Sequence, residues 1–536
     1  MSMPQDNQQI LQTLQSMAAL PNDDKRKIYD AVIEASVASE REKRQGRRQC
    51  ISVGGMLPAN NNVAGVAGAA EVQESQKEHT CTNKGGHVSG IKLHYLNAFH
   101  NTAGLSNASC DILLTTSILY ALSGFTPRIA HFNSLNPATI GKGAWAVSTN
   151  SVDFPLEAGQ KFYVRMGAQV PTGQPIIGCD PNTFTASLND ISVKHTDIIM
   201  PTTPQGIITA PCNSGGSLAS YAPTNKVTSV FPVTPAYVSG ICEVATPSVA
   251  LYGDSNAAAT GDNGTLVGAK GSISRAALLA SSGITPLFNM ARSGASLNNF
   301  NVGQSAQLFD CLDDFSHLFM QMGGNSVSGS LQPALSGNGV LTSFTLPFTV
   351  GNPANVLSVT IGGVVQATNT YTVLGNNITF TTAPASGSNN IVVFISNSDA
   401  AWVAGALLDM KQKAVRILRL AKMKGVKNVV LELLPRATDS SNTVTANGWQ
   451  AGGLCDQYNA WLASVVGQKL DDNGNIVNDN SLLLIDIFVP MSDSIRDPIT
   501  RRWAAANLTL DGVHLSTLGH TVDAARLMPV FNALTL

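Results

Sequence analysis

The sequence predicts an α/β protein with several parts: a parallel sheet with connecting helices in the C-terminal half, preceded by an all-β sandwich and a helical arm. Three observations carry this. From residue 247 onward, apolar runs of strand length alternate with helical periodicity, the pattern of β-α-β crossovers. Between about 85 and 245, short apolar runs are separated by Gly, Pro, Asn and Ser clusters, the pattern of an antiparallel sandwich. The chain has 536 residues, more than one hydrophobic core normally serves.

Composition narrows the class further. With 44% hydrophobic and 13% charged residues the chain is globular. Lys+Arg 33 against Asp+Glu 35 leaves a net charge of -2, which offers nucleic acid or an anionic membrane no broad attraction. No apolar run reaches the ~18 residues of a membrane span, and the N-terminus lacks a signal-peptide pattern, so synthesis in a cytosol without membrane insertion is expected. Eight cysteines without a CxxC pair are read as reduced thiols.

In chain order, residues 1–80 read as a helical arm and linker. Ile10, Leu14 and Met17, then Ile28, Val32 and Ala35, fall at helical spacing, and the Gly- and Asn-rich stretch from about 50 to 80 reads as the linker. Residues 81–246 form the sandwich, with runs such as CDILLTTSILYAL and KFYVRMGAQV. The α/β part occupies 247–328 and 397–536, with strands at PSVALYGDS, TPLFNMAR, HLFMQMGG, KNVVLELL and SLLLIDIF. Leu407, Met410, Ala414, Ile417, Leu418 and Ala421 mark the apolar face of one connecting helix, and Gly425 caps it. Residues 329–396 revert to strand alternation and read as a small inserted β module.

The chemistry-bearing residues lie where such a sheet binds ligands. The first strand ends in Gly253-Asp254-Ser255-Asn256, a serine where a buried parallel strand leaves the sheet. A serine hydroxyl needs a neighbouring imidazole to take its proton, and Asp511-Gly512-Val513-His514 supplies one three residues from a carboxylate that can orient it. Gly294 follows the second strand and Asn325 the third. The backbone N–H groups of Ser255 and Gly294, with the Asn325 amide, would make an oxyanion hole, whose donors are each worth ~10²–10³-fold in rate. Asn256, Arg436 and Trp449 are candidates to touch substrate, Arg436 and Trp449 by hydrogen bonding or stacking on a sugar, and Trp449 could equally anchor its loop. His520 is read as a capping or surface residue. The dispersed sandwich histidines and the 471–475 turn suggest no metal site.

Four motifs in this order resemble the SGNH (GDSL-type) hydrolases, whose naming residues match Ser255, Gly294, Asn325 and His514, with Asp511 as triad acid. The resemblance covers about 247–328 and 397–536. It implies a flavodoxin-like sheet of five parallel strands, cofactor-free ester hydrolysis through an acyl-enzyme, and a rate that falls in acid as the imidazole protonates. Ser326 after Asn325 departs from the family's GxND and puts the local turn contacts in doubt. The sandwich is similar to the jelly-roll-like domains that precede some such esterases, and the end of the inserted module resembles segments of phage tail fibres and tailspikes. Together these imply a carbohydrate O-acetyl esterase acting on acetylated bacterial surface polysaccharide. They further imply a virion-tail location, a homotrimer and an N-terminal arm that meets other tail or virion proteins. The alternatives are a bacterial esterase or lipase of the same fold, cytoplasmic or exported, and a non-catalytic receptor-binding tail protein. A glycosidase would need a carboxylate pair across a sugar, which the sequence does not suggest.

Overall fold

The computed structural model describes residues 48–56, 58–63, 70–82, 87–101, 104–108, 110–120, 128–135, 137–149, 156–157, 159–171, 174, 176–179, 191–198, 233–263, 270–301, 307–479 and 481–536. The helices expected before residue 48 lie outside these. The stretch expected as a linker holds strands instead, at Val53–Met56, Pro58–Val63 and Ala70–Thr80. Its small residues pair through their backbones, and backbone pairing leaves no apolar periodicity to read.

The sandwich consists of two antiparallel sheets. One runs in the order Arg48–Cys50, Tyr237–Cys242, Val88–Leu96, Trp145–Val147. The other runs Ala138–Ile140, Ile112–Tyr120, Lys161–Val170, Ala70–Thr80, Ile191–Ile198. Side chains of a strand alternate between faces, so Phe162, Val164, Met166 and Ala168 all point inward, against Ile91, Leu93, Ile112, Leu114 and Ile118.

The second core is a six-stranded parallel sheet. Its strands are β1 (Val53–Met56), β2 (Val249–Gly253), β3 (Leu287–Asn289), β4 (His317–Gln321), β5 (Lys427–Leu431) and β6 (Ile487–Val489). The order is β1-β3-β2-β4-β5-β6. The five expected strands therefore keep the flavodoxin-like order, and β1 adds an edge strand that the sequence reading missed. Helices α1 (Ser272–Leu279), α2 (Gly324–Leu331), α3 (Ala400–Met423), α4 (Leu454–Ser464) and α5 (Thr517–Ala533) accompany the sheet. On α3, Met410, Ala414, Ile417, Leu418 and Ala421 are buried as their spacing requires, and Gly425 takes φ 73° beyond its end. No helix among the described residues is long and apolar enough to cross a membrane.

The strand order reverses between β2 and β4, whose next neighbours lie on opposite sides. In an open parallel sheet that reversal opens a crevice beyond the carboxyl ends of the two strands. Between α2 and α3 the chain makes two small antiparallel sheets. Ala334–Gly337, Gly387–Ile395, Val356–Ile361 and Val364–Val365 form one, and Ser343–Val350 with Tyr371–Phe380 the other. Their buried side chains join the core beneath α3, where Phe348 meets Trp402 edge-on at 5.3 Å.

A polar seam ties the sandwich to the parallel sheet. The Tyr237 hydroxyl donates to Asp314 Oδ2 at 2.9 Å, and His94 Nε2 lies 3.3 Å from the same oxygen. Burial, with Arg48 and Lys92 nearby, pushes the His94 imidazole down to about 3, so the ring is neutral and the contact is not an ion pair.

Candidate active site

Ser255 stands just past the end of β2, in a turn that only glycine allows at Gly253. A Cβ there would sit 2.4 Å from Ala257 Cβ and 2.9 Å from the Gln321 carbonyl oxygen. The next strand's backbone is thus close beside it, and Ser255 emerges over the β2/β4 crevice with 4% of its surface exposed. His514 arrives on the loop before α5. Its Nε2 is 3.0 Å from Ser255 Oγ and its Nδ1 2.7 Å from Asp511 Oδ2. The other oxygen of Asp511 accepts the Val513 and His514 backbone N–H groups, each at 2.8 Å, so one carboxylate both orients the ring and folds its loop. Partial burial raises the Asp511 carboxyl, but the His514 N–H and ring and the Val513 N–H outweigh it and hold the group below its ordinary range. Gly512, at φ 90°, lets this loop pass the Asp439 carbonyl, which a Cβ would approach to 2.6 Å.

Asn325 is carried by the start of α2, past the end of β4. Its Nδ2 donates to the Ala295 carbonyl at 2.8 Å, which joins the β4 turn to the loop bearing Gly294. That bond uses one of the two amide hydrogens and leaves the other available. Among the described residues, neither the Ser255 nor the Gly294 backbone N–H has an acceptor. Ser326 resolves the doubt raised by the departure from GxND, because its hydroxyl accepts the Leu297 N–H at 2.9 Å and holds the same loop.

The three residues expected to touch substrate each make contacts within the protein. Asn256 is 5% exposed; its Nδ2 donates to Val513 O at 3.2 Å and its Oδ1 accepts from Leu515 N at 2.9 Å, one bond on each side of His514. Trp449 is 3% exposed and its indole N–H donates to Leu434 O at 3.1 Å, which ties its loop to the segment after β5. Arg436 lies over that indole, 4.7 Å from its centroid, and reaches Ser328 Oγ at 2.6 Å and Asn325 Oδ1 at 3.3 Å. Burial holds the Asp254 carboxyl above its ordinary range, against the smaller opposing pull of the Arg436 guanidinium. His520 is fully buried: Nδ1 accepts the Ser272 N–H that opens α1, and Nε2 donates to Thr260 O, both at 3.2 Å. It caps a helix from inside the core, not from the surface.

The arrangement can move a proton. A hydroxyl, an imidazole and a carboxylate are linked in series, with uncommitted N–H donors on the turns beside them. No group of three or more His, Cys, Asp or Glu that could hold a metal ion occurs among the described residues.

No model of a known protein family matches the chain, and no curated protein matches it. Similar solved structures include a GDSL-like lipase from Bacteroides thetaiotaomicron, 10% identical over 53% of this chain and 87% of its own, with a TM-score of 0.25. A lipase from a goat rumen metagenome is 10% identical over 53% of this chain and 97% of its own, with a TM-score of 0.28. A peptidoglycan O-acetylesterase is 11% identical over 92% of this chain and 85% of its own, with a TM-score of 0.30. At these identities and scores the likenesses carry no argument, and a functional reading stands on the site's own geometry.

Proposed function

We propose that the protein is a serine ester hydrolase of SGNH type. The observation that carries this reading is the series Asp511–His514–Ser255, at 2.7 and 3.0 Å, over the sheet's crevice. Ser255 Oγ attacks the ester carbonyl while His514 Nε2 takes its proton, and Asp511 stabilises the imidazolium. The N–H groups of Ser255 and Gly294 and the amide of Asn325 receive the oxyanion. As the intermediate collapses, His514 returns the proton to the leaving alkoxide. Water, deprotonated by the same ring, then releases the acid from the acyl-enzyme and restores Ser255.

This geometry supports ester hydrolysis without choosing the acyl group or its bearer, so the general esterase is the form we adopt. Deacetylation of a bacterial surface polysaccharide by a virion tail protein is a narrower form that rests on resemblance alone. The test is hydrolysis of p-nitrophenyl esters from acetyl to long-chain acyl by the wild type and Ser255→Ala, with acetate release from acetylated polysaccharide as a further arm. The reading expects turnover that Ser255→Ala lowers by ~10⁴-fold or more. Equal rates for the two proteins overturn it. Chain-length preference separates a lipase from a short-acyl esterase, and acetate release supports the narrower form.

A further inference from the structure

We infer that Arg436 is a positioning residue that fixes the orientation of the Asn325 amide and strengthens it as an oxyanion donor. The inference rests on the esterase reading. An asparagine amide is nearly symmetric in shape, and a half-turn about its last bond exchanges a donor for an acceptor. An oxyanion hole needs the nitrogen facing the reaction and the oxygen elsewhere, so something must decide between the two orientations. Two contacts decide it here. Asn325 Nδ2 donates to the Ala295 carbonyl at 2.8 Å, and Asn325 Oδ1 accepts from Arg436 Nη2 at 3.3 Å. A half-turn would set carbonyl against carbonyl at one end and an N–H against a cation at the other. The remaining amide N–H is therefore held ready before substrate arrives, the condition under which such donors are effective.

The guanidinium also acts on the amide electronically. A cation at the carbonyl oxygen withdraws density along the conjugated O–C–N unit and makes the distal N–H a stronger donor, an effect favoured by a low local dielectric.

Arg436 is itself well fixed. Nη1 donates to Ser328 Oγ at 2.6 Å, and the plane rests over the buried Trp449 indole at 4.7 Å. Gly324 lies beside it: a Cβ there would stand in ordinary contact with Arg436 Nη2, at 3.5 Å, and with Asp254 Oδ2, at 3.4 Å. Arg436 joins Asn325, Ser328 and Trp449, separated by up to 124 positions in sequence, in one brace behind the hole.

The test is a double-mutant cycle of Arg436→Met and Asn325→Ala, read as kcat and KM on p-nitrophenyl acetate. Arg436→Lys is run as a milder substitution, and circular dichroism checks folding. If Arg436 works through Asn325, Arg436→Met lowers kcat by ~10²-fold with KM unchanged within about threefold, but costs less than about threefold once Asn325 is alanine. Arg436→Lys keeps the charge without the planar fork and is expected to fall between the wild type and Arg436→Met. An equal loss in both backgrounds, or an effect on KM alone, overturns the inference, since either marks a contact with substrate. Should Arg436→Met not fold, the cycle is closed with Arg436→Lys under the same criterion. A wild type whose hydrolysis is unaffected by Ser255→Ala overturns the esterase reading and this inference with it; an active wild type with an additive cycle overturns this inference alone.

Discussion

Asn256→Leu isolates what the residue after the proposed nucleophile does. The side chains share one branched heavy-atom skeleton, so the substitution removes the bonds to Val513 O at 3.2 Å and from Leu515 N at 2.9 Å while keeping the side chain's shape. Two such bonds contribute about 1–3 kcal/mol together, and leaving buried partners unmet adds a comparable amount. The expected loss of stability is therefore about 2–6 kcal/mol, a fall of roughly 4–24 °C in the melting of the parallel-sheet core. The same bonds bracket His514, while Asp511 still holds its ring. If about 1–3 kcal/mol of preference for the aligned loop is lost, kcat falls by about 5- to 150-fold with KM little changed. Steady-state kinetics with p-nitrophenyl acetate and a thermal melt measure both. A lowered melting temperature with kcat intact would refute the clamp, and a rise in KM alone would restore Asn256 as a substrate contact.

Further predictions follow from the same loops. Gly512→Ala places a Cβ 2.6 Å from Asp439 O at φ 90°, and should cost about 1–3 kcal/mol in chemical denaturation along with most of the esterase rate. Arg275→Leu leaves the fully buried Asp262 carboxylate without the forked partner at 2.7 Å. A loss of about 3–5 kcal/mol is expected, much of it recovered when Asp262→Leu is added. Burial lowers the His520 pKa in the fold, so the unfolded chain binds that proton more readily. The stability this gives is present above the unfolded histidine's ~6.5 and is lost as pH falls from there through the folded value. His520→Gln should accordingly melt with a shallower pH dependence between about pH 7 and 5 than the wild type, and an unchanged slope would show that His520 does not contribute.

Five of the six parallel strands were legible because a strand buried on both faces must be a continuous apolar run, and VALYG, HLFMQ and KNVVL are such runs. The sixth, VGGM, carries no such signal; it is held by backbone pairing to a strand more than two hundred residues away. The candidate nucleophile, base and orienting acid could be named from motif order, since each motif is local. The contacts that Arg436, Asn256 and Trp449 make within the protein were not legible, because the partner of each is fixed by tertiary packing. A polar or aromatic side chain in a loop near the strand ends looks the same in sequence whether it faces a ligand or braces the residue that does.

The edge strand β1 changes what counts as a self-sufficient piece of this chain. Leu287 pairs with Val53, and the backbone reaches that edge directly after Arg48–Cys50 has paired in the sandwich. A fragment begun at residue 247 would keep every residue of the proposed reaction centre but expose the bare flank of β3, an open invitation to intermolecular strand addition. Excising the parallel-sheet half would therefore favour aggregation, and circular permutation that returns residues 48–56 to the excised half is the remedy the topology suggests.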